Sequence, residues 1–418
     1  MYKVCTAEGC EESAVVAGLD AAIKDGVDVL SLSLSSLTGV SFNKDPIAIG
    51  AFSAISKGII VVCSAGNKGP TPRSVSNTAP WLLMVAAGSV DRRFDAGVHL
   101  GNGKRMDGEA FTPVIKPTSK PYPLLYSEEH RFCQNASYGS VAGKIIVCQA
   151  TTPMARYSDI SRLMGHGAAG VVLFNDKATG YTIILQDFDE ARVVQMTSAD
   201  GIALAAYTKS ASNDTVATFT YNNTVLGVHP NPVVASFSSR GPSSVAPGVL
   251  KPDILAPGLN ILAAWPSPPF KIISGTSMAT PHRSILNERH DKASAYDRGA
   301  GHVNPARAAD PGLVYDLGVT DYAGYICWLL GDEGLVTMVR NSSLTCAKLP
   351  KVKDVQLNYP TLTVPLASTP FTVTRTVKSV GPADSTYAAK VDSPSSMKVH
   401  VSQRHWCSPR LEKRRRSA

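Results

Sequence analysis

The sequence predicts an α/β fold in which a parallel β-sheet is covered by helices on both faces. The first observation is the alternation of amphipathic helices and aliphatic strands over residues 14–64. The second is the return of aliphatic strands and glycine turns over residues 233–282, after a long segment of different composition. Parallel strands need long crossover connections, which helices usually supply. The pattern therefore predicts one α/β domain that is interrupted by an insert.

The first helix and strand follow from the spacing of apolar residues. One helical stripe consists of Val15, Val16, Leu19, Ala22 and Ile23. Because apolar residues three and four apart share a helix face, this spacing predicts an amphipathic helix. Gly26 is expected to end the helix, and the aliphatic run of residues 27–34 predicts the first strand.

A second helix and strand have clear boundary signals. Asp45 is a predicted N-cap, with Pro46 in the first helical position, and Gly58 is expected to end the helix. The apolar run of residues 59–63 then predicts a buried strand. Cys63 in this run is expected to behave as a small apolar residue.

Changes in composition divide the rest of the chain. Short β-rich runs at residues 143–148 and 169–174, among many glycines and prolines, predict a mainly β insert. Alternating Thr and Val in residues 371–377 predict a half-buried strand of a β-sandwich that is too short to be complete. The predicted division is the first part of the α/β domain (1–98), the insert (99–228), the second part of the α/β domain (229–320), a connector (321–354), a partial β-sandwich (355–402) and a basic tail (403–418).

Charge and hydropathy restrict the partners. The formal net charge is +8, and a run of four basic residues, Lys413 to Arg416, lies in the tail. No aromatic residues interleave with this run, so it is interpreted as a solvated tail rather than a nucleic-acid site. There is no run of about 18 apolar residues, so no membrane span is expected. The start of the chain lacks the apolar segment of a signal peptide, and we interpret it as truncated.

Cysteines and glycosylation motifs indicate an oxidising compartment. Three pairs lie close enough in sequence to form short disulfide loops: Cys5 with Cys10, Cys133 with Cys148, and Cys327 with Cys346. Acceptor motifs for N-glycosylation begin at Asn135, Asn213, Asn222 and Asn341. Both features favour a secreted protein.

Two segments carry groups suited to acyl transfer. The segment Ser274-Gly275-Thr276-Ser277-Met278-Ala279-Thr280-Pro281-His282 follows a predicted strand and opens a predicted helix. A serine at such a turn has an exposed hydroxyl, and the helix dipole favours negative charge there. The segment Ser64-Ala65-Gly66-Asn67 ends another strand and offers the Asn67 amide as a donor to an oxyanion.

These residues resemble the subtilisin-like proteases, and specifically the plant subtilases. The resemblance implies that Ser277 is the nucleophile and Asn67 the oxyanion residue. It implies that Ser33, Leu34 and Ser35 form the substrate-binding strand, where the third position is usually glycine, and that Ala65 and Gly66 border the pocket for the residue before the scissile bond. The insert resembles the protease-associated domain of these enzymes, and the Thr/Val-rich end resembles their fibronectin-III-like domain. Further matching segments are residues 2–5, 238–242, 251–258 and 299–305.

The family's catalytic Asp and His have no counterpart in the sequence. Neither the Asp-Ser/Thr-Gly nor the His-Gly-Thr motif occurs. His166 lies in the insert, and His282 lies five residues after Ser277, which is roughly 140° around a helix axis. Asp20 and Asp28 are interpreted as a helix-surface acid and a turn acid. The triad Asp and His are therefore expected to be absent.

The segment after the nucleophile also departs from the family. Subtilases continue with an apolar helix, whereas residues 283–291 are Arg-Ser-Ile-Leu-Asn-Glu-Arg-His-Asp. Burying Arg283, Glu288 and Arg289 without partners would cost several kcal/mol, on the order of a small domain's whole stability. We therefore expect this segment to be exposed or unfolded.

The resemblance implies a secreted endopeptidase that cleaves peptide bonds through an acyl-enzyme, without cofactor or metal. Its partners would be peptide or protein substrates, not nucleic acid or membrane. Without the base, we expect this chain to be inactive. Two alternatives are a non-catalytic protein-binding module that uses the insert and the groove, and a truncated gene product.

Overall fold

The computed structural model describes most of the chain. The described residues are 1–111, 120–128, 131–133, 140–150, 157–186, 188, 192–210, 215–279, 285–339, 343–364, 369–393, 395–402 and 405–407. Predictions for Asn135, Asn213, Asn341, His282, Arg283 and the basic run of residues 413–416 lie outside this part.

Four parallel strands form the central sheet. They are β1 (Val29–Leu32), β2 (Ile60–Ser64), β3 (Leu83–Gly88) and, much later in the chain, β11 (Ile254–Pro257), adjacent in that order. Helix α1 (Glu12–Lys24) precedes β1, helix α2 (Pro46–Ile55) joins β1 to β2, and both cover one face of the sheet. The Asp45 carboxylate accepts hydrogen bonds from the backbone N–H groups of Ile47 and Ala48. The predicted capping of the second helix is confirmed.

One face of this sheet carries the main core. Leu30, Val61 and Cys63 pack beneath α1 and α2, and burial raises the pKa of the Cys63 thiol to about 12. Trp81 is at the centre, with edge-on ring contacts to Phe42, Phe52 and Tyr322. Tyr322 belongs to α7 (Val319–Val339), which is kinked at Gly331.

The opposite face is open beside β1 and β2. Val29 and Ile60 are register partners, and they are 53% and 56% exposed. Leu83 on the next strand is 37% exposed. The predicted second helical layer is not seen on this side within the described residues.

The insert is a closed barrel of seven strands. In chain order these are β4 (Arg92–Leu100), β5 (Arg105–Glu109), β6 (Tyr122–Leu125), β7 (Ile145–Gln149), β8 (Gly170–Phe174), β9 (Val193–Met196) and β10 (Val216–Leu226). Helix α3 (Tyr157–Gly165) joins the parallel strands β7 and β8, and helix α4 (Ser198–Ser210) lies between β9, which is parallel to β8, and β10. Because β4 begins at Arg92, the barrel starts before residue 99, where the sequence placed the boundary.

Shorter elements complete the chain. Strands β12 (Ile261–Ala264) and β13 (Phe270–Ile273) form a hairpin, and the remaining elements are α5 (Ala295–Arg298), α6 (Pro305–Ala309), β14 (Leu313–Val314), β15 (Lys378–Ser379), β16 (Thr386–Ala388) and β17 (His405–Cys407). Within the described ranges, single 3₁₀ turns cover Phe42–Lys44, Thr276–Met278 and Asp354–Gln356.

Residues 371–377, which the sequence predicted to be a strand, belong to no strand among the described residues. The side chain of Gln356 accepts from Thr374 N and donates to Thr372 O, and Asn358 does the same with Thr376 N and Thr376 O. Side-chain amides thus take the hydrogen bonds of a ladder. Side-chain exposure alternates along residues 372–377 as the pattern predicted, but the prediction of a strand was wrong.

Cysteine pairing agrees with the sequence. Disulfides join Cys5 to Cys10, Cys133 to Cys148, and Cys327 to Cys346. The Cα atoms of Cys133 and Cys148 are 5.4 Å apart, within the usual range of about 4.4–6.8 Å. Cys63 is free and buried.

One glycosylation motif lies within the described residues. The Asn222 side chain donates from Nδ2 to the carboxylate of Asp95 at 2.5 Å. Asp95 is buried and also binds Arg93 and Arg105, each at 2.8 Å. A glycan attached at Nδ2 of Asn222 would have to disturb this cluster.

The prediction that the segment after the nucleophile is exposed was wrong for Glu288. This carboxylate is 5% exposed and pairs with Arg240 at 2.8 Å, so burial leaves no unpaired charge. Ile285 and Ala293 are buried in the same region, and Leu286 forms a bridge with Val233. Arg289 is exposed, as expected.

Candidate functional site

The proposed nucleophile lies at the carboxyl end of the hairpin strand β13. Ser277 is the middle residue of the 3₁₀ turn Thr276–Met278 and is exposed, whereas the neighbouring Thr276 is buried. The helix expected to continue from this turn is not seen up to residue 279, where the described segment ends.

Hydrogen bonds connect Asn67 to the residue before the nucleophile. Asn67 Oδ1 accepts from Thr276 N at 3.0 Å and from Thr276 Oγ1 at 3.1 Å. Thr276 Oγ1 in turn accepts from Gly66 N at 3.2 Å. Gly66 has φ +100°, a backbone conformation that favours glycine. The structure thus joins the turn after β2 to the nucleophile turn across 209 positions of sequence.

This arrangement orients the Asn67 amide. Both bonds to Thr276 use Oδ1, and the Nδ2 group lies beside Gly275. A Cβ placed on Gly275 would lie 3.6 Å from Asn67 Nδ2 and 3.4 Å from Met278 Sδ. Glycine at 275 therefore keeps open the space beside the amide donor. An N–H group held in this way can stabilise negative charge on a carbonyl oxygen.

The predicted substrate-binding strand continues directly from β1. Ser33 and Ser35 are exposed, and Leu34 is half-buried. Leu34 O accepts from Ser64 Oγ at 3.1 Å and from Asn77 Nδ2 at 2.8 Å. Residues 33–35 are therefore fixed to the end of β2, which leads into the buried residues Ala65 and Gly66 and then Asn67.

Two supporting residues were not identified from the sequence. Asn77 bridges Leu34 O and Ser64 O and accepts from Ser36 N. Its φ of +56° is tolerated better by asparagine than by most residues, but no local motif marks it. Thr276 lies within the segment of residues 274–282, but the sequence pattern pointed only to its neighbour Ser277.

Among the described residues, no hydrogen bond joins Ser277 to a histidine or a carboxylate. Within them, the Ser277 hydroxyl has no hydrogen-bond partner. His166 Nδ1 is 2.8 Å from Arg162 O at the end of α3 in the barrel. Asp20 is an exposed residue of α1, and Asp28 is exposed before β1, at the opposite end of the strand from residues 33–35.

Comparison with known proteins decides the family. The sequence profile described as the subtilase family matches residues 1–285. The chain belongs to the subtilase family. A fibronectin type-III profile matches residues 356–406 of this subtilase. The fold class predicted from the sequence is confirmed in its α/β sheet and its fibronectin-III-like end.

Curated relatives agree with this family. The chain is 38% identical to subtilisin-like protease SBT5.3 and 36% identical to subtilisin-like protease SBT1.7, both from Arabidopsis thaliana, over 96% of its own length. It spans 60% of the length of each of these relatives. Among solved structures, the subtilisin-like protease Apa1 of Pseudoalteromonas sp. AS-11 matches with 17% identity and a TM-score of 0.26, covering 66% of this chain and 63% of that one.

We predict that Thr276→Val lowers the free energy of unfolding by about 1–3 kcal/mol. Valine has nearly the same shape as threonine, but it leaves Gly66 N without an acceptor and removes one donor to Asn67 Oδ1. Urea unfolding measures the change. The matched control is Ser277→Ala on the exposed neighbour, expected to change stability by less than about 0.5 kcal/mol. Equal stability of Thr276→Val and the unaltered chain would contradict the described geometry.

Proposed function

We propose that this subtilase chain binds an extended polypeptide and presents Ser277 and Asn67 to one of its carbonyl groups. The polypeptide would lie along Ser33, Leu34 and Ser35, with Ala65 and Gly66 beside the residue before the carbonyl. The single observation that carries the proposal is the hydrogen bonding of Asn67 to Thr276, which unites a nucleophile turn and an amide donor.

We propose that this chain binds a polypeptide without hydrolysing it. A serine hydroxyl becomes a good nucleophile when a neighbouring base takes its proton. Asn67 can stabilise an oxyanion, but it cannot accept a proton from Ser277. The family reaction, attack on a peptide carbonyl followed by hydrolysis of the acyl-enzyme, therefore stops before its first step. No cofactor or metal enters this proposal.

The remaining assignments follow from the same resemblance. The barrel between β3 and β11 is proposed to be the protease-associated domain, and it can add to the binding of a protein partner. An extracellular or cell-wall location is proposed. It is supported by the three disulfides and by a relative named CO(2)-response secreted protease, 34% identical over 96% of this chain. No helix among the described residues is long and apolar enough to span a membrane.

Peptide binding tests the proposal. Fluorescence anisotropy with a labelled, unstructured polypeptide should show saturable binding, because the backbone of residues 33–35 can pair with an extended chain. Ser35→Pro removes one backbone donor from this strand and should weaken binding at least tenfold. Ser35→Ala is the matched control and should leave binding unchanged. Binding that is unaffected by Ser35→Pro, or absent in the unaltered chain, would refute the groove.

A further inference from the structure

A cavity of about 200 Å³ lies where the barrel meets the α/β domain. Arg92 of β4 and Glu109 of β5 line it from the barrel. Leu259 and Asn260 line it from the segment before β12, and His290 lines it from the segment after the nucleophile. None of the residues of the candidate subtilase site borders the cavity. It is therefore a separate feature of the molecule.

Glu109 is an acidic group of this wall that lacks a side-chain partner. Its Oε2 accepts only from Phe94 N, at 3.3 Å, within the part of the chain that the structure describes. The other acids of the wall are engaged, Asp107 with Arg105 at 2.6 Å and Asp200 with Thr197 at 2.6 Å. Burial raises the pKa of Glu109 to about 7, because the carboxylate loses hydration that one backbone bond does not replace.

Arg92 is the complementary group. Its Nη2 donates to the backbone carbonyl of Asn260 at 2.5 Å, and its guanidinium lies 5.1 Å from the centre of the Phe94 ring. Among the described residues it forms no ion pair, whereas the adjacent Arg93 pairs with Asp95. Within the part of the chain that the structure describes, Arg92 and Glu109 thus form an ion pair neither with each other nor with another charged side chain.

Part of the cavity wall is apolar and aromatic. Ile183, Val233 and Leu259 line it, and the rings of Tyr181 and His290 stack at 3.9 Å on one side. The volume is below the roughly 300–1,000 Å³ that is typical of pockets for drug-sized ligands. The volume and the lining of the cavity suit a small ligand that has an apolar part and two opposite charges.

We propose that this cavity binds a free α-amino acid with an apolar side chain. The ligand ammonium would donate to Glu109, the ligand carboxylate would accept from Arg92, and the side chain would contact Ile183, Val233 and Leu259. A zwitterion supplies one positive and one negative group, so Glu109 and Arg92 each gain a partner of opposite charge. An amine or a carboxylate alone would leave either Arg92 or Glu109 without a charged partner in the cavity, which is less favourable.

Isothermal titration calorimetry of the full chain tests this site with three probes. Leucine should bind saturably. Its analogue without the carboxylate, 3-methylbutylamine, and its analogue without the amine, 4-methylpentanoate, should each bind at least tenfold more weakly. No saturable leucine binding, or equal affinity for either analogue, would overturn the proposal without any need for a variant.

Variants locate the site. Glu109→Gln and Arg92→Gln should each weaken leucine binding at least tenfold. Asp107→Asn, on the same wall but engaged with Arg105, is the matched control and should leave the affinity unchanged. Leucine binding that survives Glu109→Gln in a variant with an unaltered circular dichroism spectrum would place the ligand elsewhere and reject the assignment. Because the peptide test uses different residues, failure of one proposal leaves the other intact.

Discussion

Replacing Lys251 with methionine is expected to lower the free energy of unfolding by about 3–5 kcal/mol. The Lys251 side chain is fully buried. Its Nζ donates to Asp253 Oδ2 at 2.6 Å, to Leu82 O at 2.8 Å and to Tyr359 OH at 3.2 Å. Methionine fits the space, but among the described residues it leaves the buried carboxylate of Asp253 with Met84 N, at 2.7 Å, as its remaining donor.

This loss would remove a large part of the stability of an ordinary domain, which is about 5–15 kcal/mol. It would also loosen the contact between the α/β domain and the fibronectin-III-like end. Tyr359, which lies within that end, donates to Pro80 O at 2.7 Å, and burial raises its pKa well above the usual range. The Lys251 cluster is thus a point where two parts of the chain are joined.

Urea unfolding, followed by tryptophan fluorescence, measures the effect of Lys251→Met. The matched control is Lys378→Met, which removes a lysine from an exposed ion pair with Asp316 at 3.2 Å and should cost less than about 1 kcal/mol. The double variant Lys251→Met/Asp253→Asn should recover part of the loss, because the amide oxygen still accepts from Met84 N and carries no charge. Equal midpoints for Lys251→Met and Lys378→Met would show that the buried pair does not stabilise the fold.

The sequence predicted the parts of the fold that local patterns specify. The Asp45 cap, the parallel strands after α1 and α2, and the three disulfides depend on short-range signals or spacing. The paired strand over residues 371–377 failed because its partners are the side chains of Gln356 and Asn358. The spacing of apolar residues is the same for a strand that pairs with another strand and for a segment that bonds to side-chain amides, so the sequence pattern could not distinguish them.

Long-range pairing also explains what was missed near the site. Glu288 was expected to be exposed because its partner, Arg240, lies 48 residues away and no motif connects them. Asn77 is similar, since it acts on Leu34 and Ser64 through the fold rather than through a sequence pattern. Ser277 and Asn67 were selected by a family motif, and the bond between Asn67 and Thr276 could be seen only in three dimensions.

The second large effect concerns the reactivity of Ser277. Removing the serine or the histidine from subtilisin lowers kcat roughly 10⁶-fold, so a chain without the base is expected to have lost a comparable factor. Asn67 can retain some stabilisation of an oxyanion, but donors alone leave a small fraction of the normal rate. We therefore expect no measurable hydrolysis of a peptide substrate. We also expect the same background rate for the unaltered chain and for Ser277→Ala.

Labelling with a fluorophosphonate tests most directly whether Ser277 is activated, because this reagent reacts with activated serines whatever the substrate preference of the enzyme. The unaltered chain, Ser277→Ala and an active subtilisin are treated in parallel, and mass spectrometry counts the phosphonyl groups added. We expect stoichiometric labelling of the active subtilisin and no labelling of the chain or of its variant. Stoichiometric labelling at Ser277, abolished by Ser277→Ala, would contradict the account and would mean that a base does reach this hydroxyl.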